Sequence, residues 1–344
     1  MVRTAFVFAG GGSFGTIQVG MLQALLEHGL TADFVVGSSV GAINGAYFPG
    51  DPTISGVFQL EKLWRGIRRK DIFSVNWRTA VNFLKRSDFL LSSSGLRTLI
   101  DMHLPYRRLE DAKIPVHIVA TNLLSGSAVI LSKGSATDAI VASTAIPGAF
   151  GPVFIDGRFL VDGAISSNTP ITAAVTLGAR RLIVLPTGSA CALDNPPKGT
   201  IANALHALTL LIARQLVSEL EGLDESIDFA IVPTQCPRPG SAYDFSRGAQ
   251  LIADSAQLAR RWIAEGGLNR REIPESLRAH EHAHSVLGST RGDGYLAGKR
   301  DGNGAAIELQ KSFRPPPATI KTQIAGKTPE HRSATVNSRA LWNR

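Results

Sequence analysis

The chain of 344 residues has little cysteine, little methionine and no long uninterrupted apolar run. Its two cysteines, Cys191 and Cys236, exclude a disulfide framework. They leave room for one bridge or, as expected in a reducing compartment, for a pair of thiols. No Cys/His cluster has the spacing of a zinc site. The opening MVRTAFVFAGGG carries one arginine and only a short apolar stretch before its glycines, which reads as a first strand rather than a secretory leader. The longest apolar helical run, from Ile201 to Leu216, is broken by Asn203, His206 and Arg214. It falls short of the ~20 residues needed to cross a bilayer. These absences lead us to expect a cytoplasmic protein whose membrane contact, if it has any, is peripheral.

What is present is the composition of a folded globular chain, 44% hydrophobic and 19% charged. Thirty-six basic against 28 acidic residues give a formal charge of +8. Most of that excess lies beyond residue 280, where Gly-rich and Arg-Pro-Pro-Pro segments lack periodicity. The expected organisation is one domain over residues 1–280 and a basic, flexible tail over 281–344. The tail's cations are scattered and lack interleaved aromatics, so nucleic acid is not an expected partner.

Hydrophobic periodicity orders the domain. Residues 3–8 read as a buried strand, and Ile17, Met21, Leu22, Leu25 and Leu26 fall on one helical face that ends near Gly29. Phe34-Val35-Val36 is a second strand, followed by a small-residue helix over Val40 to Phe48. This β-α-β-α opening predicts a mostly parallel sheet covered on both faces. Residues 52–105 read as a helical, cap-like insertion. Further strands fit 116–121, 129–131, 181–186 and 229–233, and further helices fit 137–143, 170–177, 201–221 and 247–265. Asp156-Gly157 between two apolar pairs predicts a hairpin turn.

Two glycine-bearing turns carry chemistry. Gly10-Gly11-Gly12-Ser13-Phe14-Gly15 lies between a strand and a helix and satisfies G-x-G-x-x-G, with Asp33 roughly twenty residues on, so a dinucleotide-binding reading through Gly10, Gly12 and Gly15 stays open. The same bare backbone at a helix N-terminus equally suits an oxyanion. Gly37-Ser38-Ser39-Val40-Gly41 favours the second reading. It is G-x-S-x-G directly after an apolar strand and before a helix, the setting of a nucleophile elbow, with Ser39 protruding between Gly37 and Gly41. A serine hydroxyl needs a base. His117, His206, His280, His282 and His284 lie in no loop suited to a triad. Asp162, in Val161-Asp162-Gly163-Ala164, ends a strand and is a candidate, although Asp-Gly taken alone is a turn.

Together the glycine loop at 10–15, the elbow GSSVGA at 37–42, the segment ASTAIPGAFGP at 142–152 and VDGAISSNTP at 161–170 resemble the patatin-like phospholipase family in motif order. The resemblance implies a three-layer α/β/α fold with a mostly parallel central sheet and a lipid acyl hydrolase that needs neither metal nor cofactor. It implies Ser39 as nucleophile, Asp162 as general base, and Gly10, Gly11 and Gly12 as the oxyanion loop, with phospholipid or another acyl lipid as substrate. One position departs from the pattern: Phe14 stands where the family usually carries Arg or Lys, which leaves a non-catalytic lipid-binding role on the same fold as the competing expectation. The stretch from Trp64 to Lys70, followed by Ile72, Phe73, Val75 and Trp77, mixes cations with large apolar groups and is either a core-packed surface helix or a membrane-docking edge.

Overall fold

A computed structural model describes residues 2–72, 91–188, 200–236 and 244–278. The tail expected to be flexible, together with His280, His282 and His284, lies outside the described residues. So do Phe73, Val75 and Trp77.

Among the described residues eight strands form one sheet in the order β5-β6-β3-β2-β1-β7-β8, with β4 pairing β3. The parallel centre consists of β1 (Thr4–Phe8), β2 (Phe34–Ser38), β3 (Val116–Asn122), β7 (Arg181–Leu185) and β8 (Asp228–Ile231). Three short antiparallel strands complete it: β4 (Ala128–Leu131), β5 (Val153–Ile155) and β6 (Arg158–Val161). The central strands read as continuous apolar runs because both faces are covered. Phe6, Phe8, Val35, Ile183 and Leu185 point into one core. Ala5, Val7, Phe34, Val36, Leu182 and Val184 point into the other.

Helices supply the outer layers. On the first face lie α1 (Gly15–Glu27), α2 (Val40–Gly50), α3 (Ile54–Gly66) and, late in the chain, α10 (Gly248–Ala264). The short α4 (Arg69–Ile72) and α5 (Ser94–His103) follow α3. Val57, Leu60 and Trp64 of α3 enter the main core, and Leu96 and Ile100 of α5 pack with Ile140 of α6 (Ala136–Ser143). The short α7 (Ala164–Ser167) follows Asp162, and against the second face pack α8 (Ile171–Thr176) and α9 (Thr200–Glu221), through Ile171, Leu216 and Leu220. Among the described residues no helix is long and apolar enough to cross a membrane.

The Asp156-Gly157 turn has the two positive φ angles, 48° and 74°, that a tight two-residue hairpin turn requires. Cys236 is disulfide-bonded, which is the single-bridge alternative rather than the expected pair of thiols.

The pairing around β3 places the site. Val119 pairs with Ser38 and with Ile130, whereas Thr121 pairs with Ala128 and with Val161. A strand has two edges, so β4 occupies one while β2 and then β6 share the other. β6 therefore takes over the edge of β3 where β2 leaves it to turn into α2. The residue after β6 is Asp162, and the residue after β2 is Ser39.

Candidate active site

Ser39 sits at the strand-to-helix turn with φ 53° and ψ −125°, a backbone conformation that costs a non-glycine residue about 1–3 kcal/mol. The turn closes because its flanks are bare. A Cβ on Gly37 would strike the carbonyl of Gly41, and one on Gly41 would strike that of Phe8. Both elbow glycines are thus required by close backbone approach.

The Ser39 hydroxyl donates a hydrogen bond to Asp162 Oδ2 at 2.9 Å, across 123 residues of sequence. The other carboxylate oxygen accepts from the Ala164 amide at 2.8 Å. Asp162 is only 4% exposed, and burial pushes its pKa from 3.8 up to about 6, opposed by the hydrogen bonds from Ala164 and Ser39. The Asp-Gly pair does more than turn the chain. A Cβ on Gly163 would collide with the Val119 carbonyl, so glycine lets Asp162 approach β3 closely.

The glycine loop lies against the nucleophile: a Cβ on Gly10 would come within 2.9 Å of Ser39 Cβ. Gly10, however, is not free to donate to an oxyanion. Its amide donates to the Asn168 carbonyl at 2.9 Å, and its own carbonyl accepts from Thr187 Oγ1 and Asn168 Nδ2. Gly10 thus shapes the loop, and the donors left to it are the amides of Gly11 and Gly12. Among the described residues the amides of Gly11 and Gly12 have no acceptor, and Gly12, at φ 61°, adopts a backbone that favours glycine.

Three supporting residues were not singled out from sequence. Ser143, fully buried, accepts from the Ser39 amide at 2.9 Å and donates to the Val119 carbonyl at 2.5 Å, tying the elbow to β3. Ser143→Ala leaves a buried elbow amide unpaired, which costs about 1–3 kcal/mol. We expect a lower melting temperature and ester hydrolysis reduced about tenfold; a wild-type turnover number would remove Ser143 from the positioning role. Asn44 donates to the Gly15 carbonyl and to Gln18 Oε1, each at 2.8 Å, while Gln18 donates to the carbonyls of Ala9 and Leu185. Trp64 Nε1–H donates to Asn44 Oδ1 at 2.8 Å, so this fully satisfied chain runs from α3 to the base of the glycine loop. Polar residues inside apolar helical faces were its only sequence signal.

Other candidates fall elsewhere. Phe14 is 4% exposed and packs in the main core, so the family's cation is replaced here by a buried ring rather than by an empty position beside the loop. Asp33 precedes β2 instead of ending it and accepts from the Thr4 amide at 2.7 Å, at the amino ends of the central strands, whereas the glycine loop lies at their carboxyl ends. An acid for a cofactor ribose belongs at the carboxyl end of that strand, so the dinucleotide reading loses its second element. His117 lies near the start of β3 and pairs with Ser132 through Nδ1. Trp64, Ile67 and Ile72 are buried, which removes the described apolar side chains of the 64–77 stretch from any membrane-docking edge.

A mostly parallel α/β/α sandwich with a serine elbow on its second strand and a carboxylate across from it defines the patatin class of fold. Residues 6–175 match the family model described as patatin-like phospholipase, and the chain belongs to that family. Among relatives, the patatin-like phospholipase domain-containing protein 7 of Rattus norvegicus is 29% identical over 187 residues, 54% of this chain and 14% of that one. An uncharacterized NTE family protein of Mycobacterium bovis is 31% identical over 181 residues, 52% of this chain and 47% of that one. The chain thus spans less than half the length of either relative. Human GIVD cytosolic phospholipase A2, solved with methyl gamma-linolenyl fluorophosphonate, aligns at 13% identity with a TM-score of 0.42, over 78% of this chain and 59% of that one.

Proposed function

We propose that the chain is a serine acyl-ester hydrolase acting on phospholipids or other acyl lipids through a Ser39–Asp162 dyad, without metal or cofactor. The observation that carries this reading is the 2.9 Å hydrogen bond from a strained elbow serine to a buried carboxylate, beside two amides with no acceptor. Family membership points to the lipid class of substrate.

In this mechanism ionised Asp162 takes the Ser39 proton as Oγ attacks the ester carbonyl. The amides of Gly11 and Gly12 hold the resulting oxyanion, each such donor being worth ~2.7–4 kcal/mol of barrier. Collapse breaks the ester C–O bond, Asp162 returns the proton to the leaving alcohol, and an acyl group remains on Ser39. Water, deprotonated by Asp162, then attacks the acyl carbonyl and releases the fatty acid with Ser39 restored.

The test is labelling with a fluorophosphonate probe read by intact mass. One adduct on wild-type protein and none on Ser39→Ala is the expected result. Folded wild-type protein that takes no adduct would favour the non-catalytic lipid-binding role.

A further inference from the structure

The β5–β6 hairpin departs from ordinary sheet chemistry. A hairpin with one face on the core normally shows polar side chains on the other. Leu160 is fully buried, so the pleat turns its neighbour Phe159 to the opposite face, where Phe159 is 45% exposed. Phe154, its cross-strand partner, is 62% exposed, and the two rings lie 5.0 Å apart. Phe159 also accepts, through its carbonyl, from the amide of Leu123, which is 47% exposed and is followed by Leu124 at 82%. Ile165, three residues past Asp162, is exposed as well.

Large apolar side chains gathered at one place on a surface mark a contact site. The location is informative. β6 runs antiparallel to β3, so the hairpin turn projects past the ends of β2 and β3 that carry the elbow, and Phe159 stands three residues before the dyad carboxylate. Arg158, exposed beside the turn, enters no ion pair among the described residues, although Asp156 lies two residues away. An aromatic pair with a cation at its edge matches a lipid surface, where rings enter the acyl boundary and the guanidinium meets phosphate.

We infer that the exposed face formed by Leu123, Leu124, Phe154 and Phe159, flanked by Arg158, docks on a lipid bilayer and sets the Ser39 elbow at the membrane surface. The inference rests on the acyl-lipid reading of the site, since such a substrate resides in the bilayer.

The full chain is compared with Phe154→Ser/Phe159→Ser in two assays. One is hydrolysis of a soluble short-chain nitrophenyl ester, and the other is cosedimentation with, and hydrolysis of, phosphatidylcholine vesicles containing phosphatidylglycerol. We expect unchanged soluble-ester turnover and a loss of vesicle binding and vesicle hydrolysis of about tenfold or more. Phe58→Ser, which alters an equally exposed phenylalanine on α3 (52%), serves as the control. Wild-type vesicle binding by the double variant, or an equal loss with Phe58→Ser, overturns the docking face. Absence of soluble-ester hydrolysis in the wild-type protein instead overturns the catalytic reading, while cosedimentation still reports on the face.

Discussion

Ser39→Ala is expected to reduce hydrolysis of short-chain nitrophenyl esters by roughly 10⁴-fold or more while leaving the fold intact. The size follows from what the substitution removes. Without Oγ there is no acyl-enzyme route, and what remains is whatever Gly11, Gly12 and Asp162 can do for a water molecule placed by chance. Among the described residues Ser39 Oγ makes one hydrogen bond, to Asp162, and its loss is a small stability term beside that effect. Steady-state rates with circular dichroism melts check both halves, and full activity in Ser39→Ala would refute the assignment.

The second large effect separates activity from stability. Asp162 has a folded pKa of about 6 against an ordinary value of 3.8, raised by burial. In the proposed mechanism the base works ionised, so kcat/KM of the wild-type protein should rise with pH through about 6 and level off above it. For stability the sign is opposite. The folded chain holds its proton more tightly than the unfolded chain, so stability falls as pH climbs from about 4 to about 6 and stays reduced beyond. Asp162→Asn removes the buried charge yet keeps an acceptor for the Ala164 amide. It should lose roughly 10³-fold or more in ester hydrolysis and gain about 1–3 kcal/mol at pH 8, a gain that disappears by about pH 4. Paired denaturant melts at the two pH values measure it. A variant less stable than wild type at pH 8 would show that the carboxylate is better solvated than its burial indicates.

The opening β-α-β-α unit was legible because local pattern and tertiary environment agree there. Apolar strands such as Phe34-Val35-Val36 are buried on both faces, and the helix read at 17–26 forms as α1, although all of Gly15–Leu25 is buried rather than a single stripe. The Asp-Gly hairpin was legible for the same reason, since two residues carry the whole turn. Ser39 and Asp162 stood out through their motifs, but their meeting depends on β6 joining the edge of β3 beyond β2, a non-local pairing that no window of sequence displays. The engagement of Gly10 by Asn168 was hidden likewise, because the partners lie 158 residues apart. Phe14 misled in a different way. A position judged by the family's cation turned out to face the core, where a charge would pay desolvation without a partner.

The shared edge of β3 also separates inactivation from unfolding. β6 meets β3 through two residue pairs only, Thr121 with Val161 and Asn122 with Leu160, whereas β2 and β3 are held by four. Short antiparallel additions at a sheet's end belong to the low-stability part of a domain and open before the parallel centre. Undocking them would loosen Asp162, whose remaining backbone ties are its amide to the Ala145 carbonyl and its carbonyl to Thr121 Oγ1, while β1, β2 and their helices stay in place. In mild denaturant, turnover by the proposed dyad should therefore be lost before the far-ultraviolet signal changes, so that ester hydrolysis would report the attachment of a single hairpin more sensitively than any measure of secondary structure.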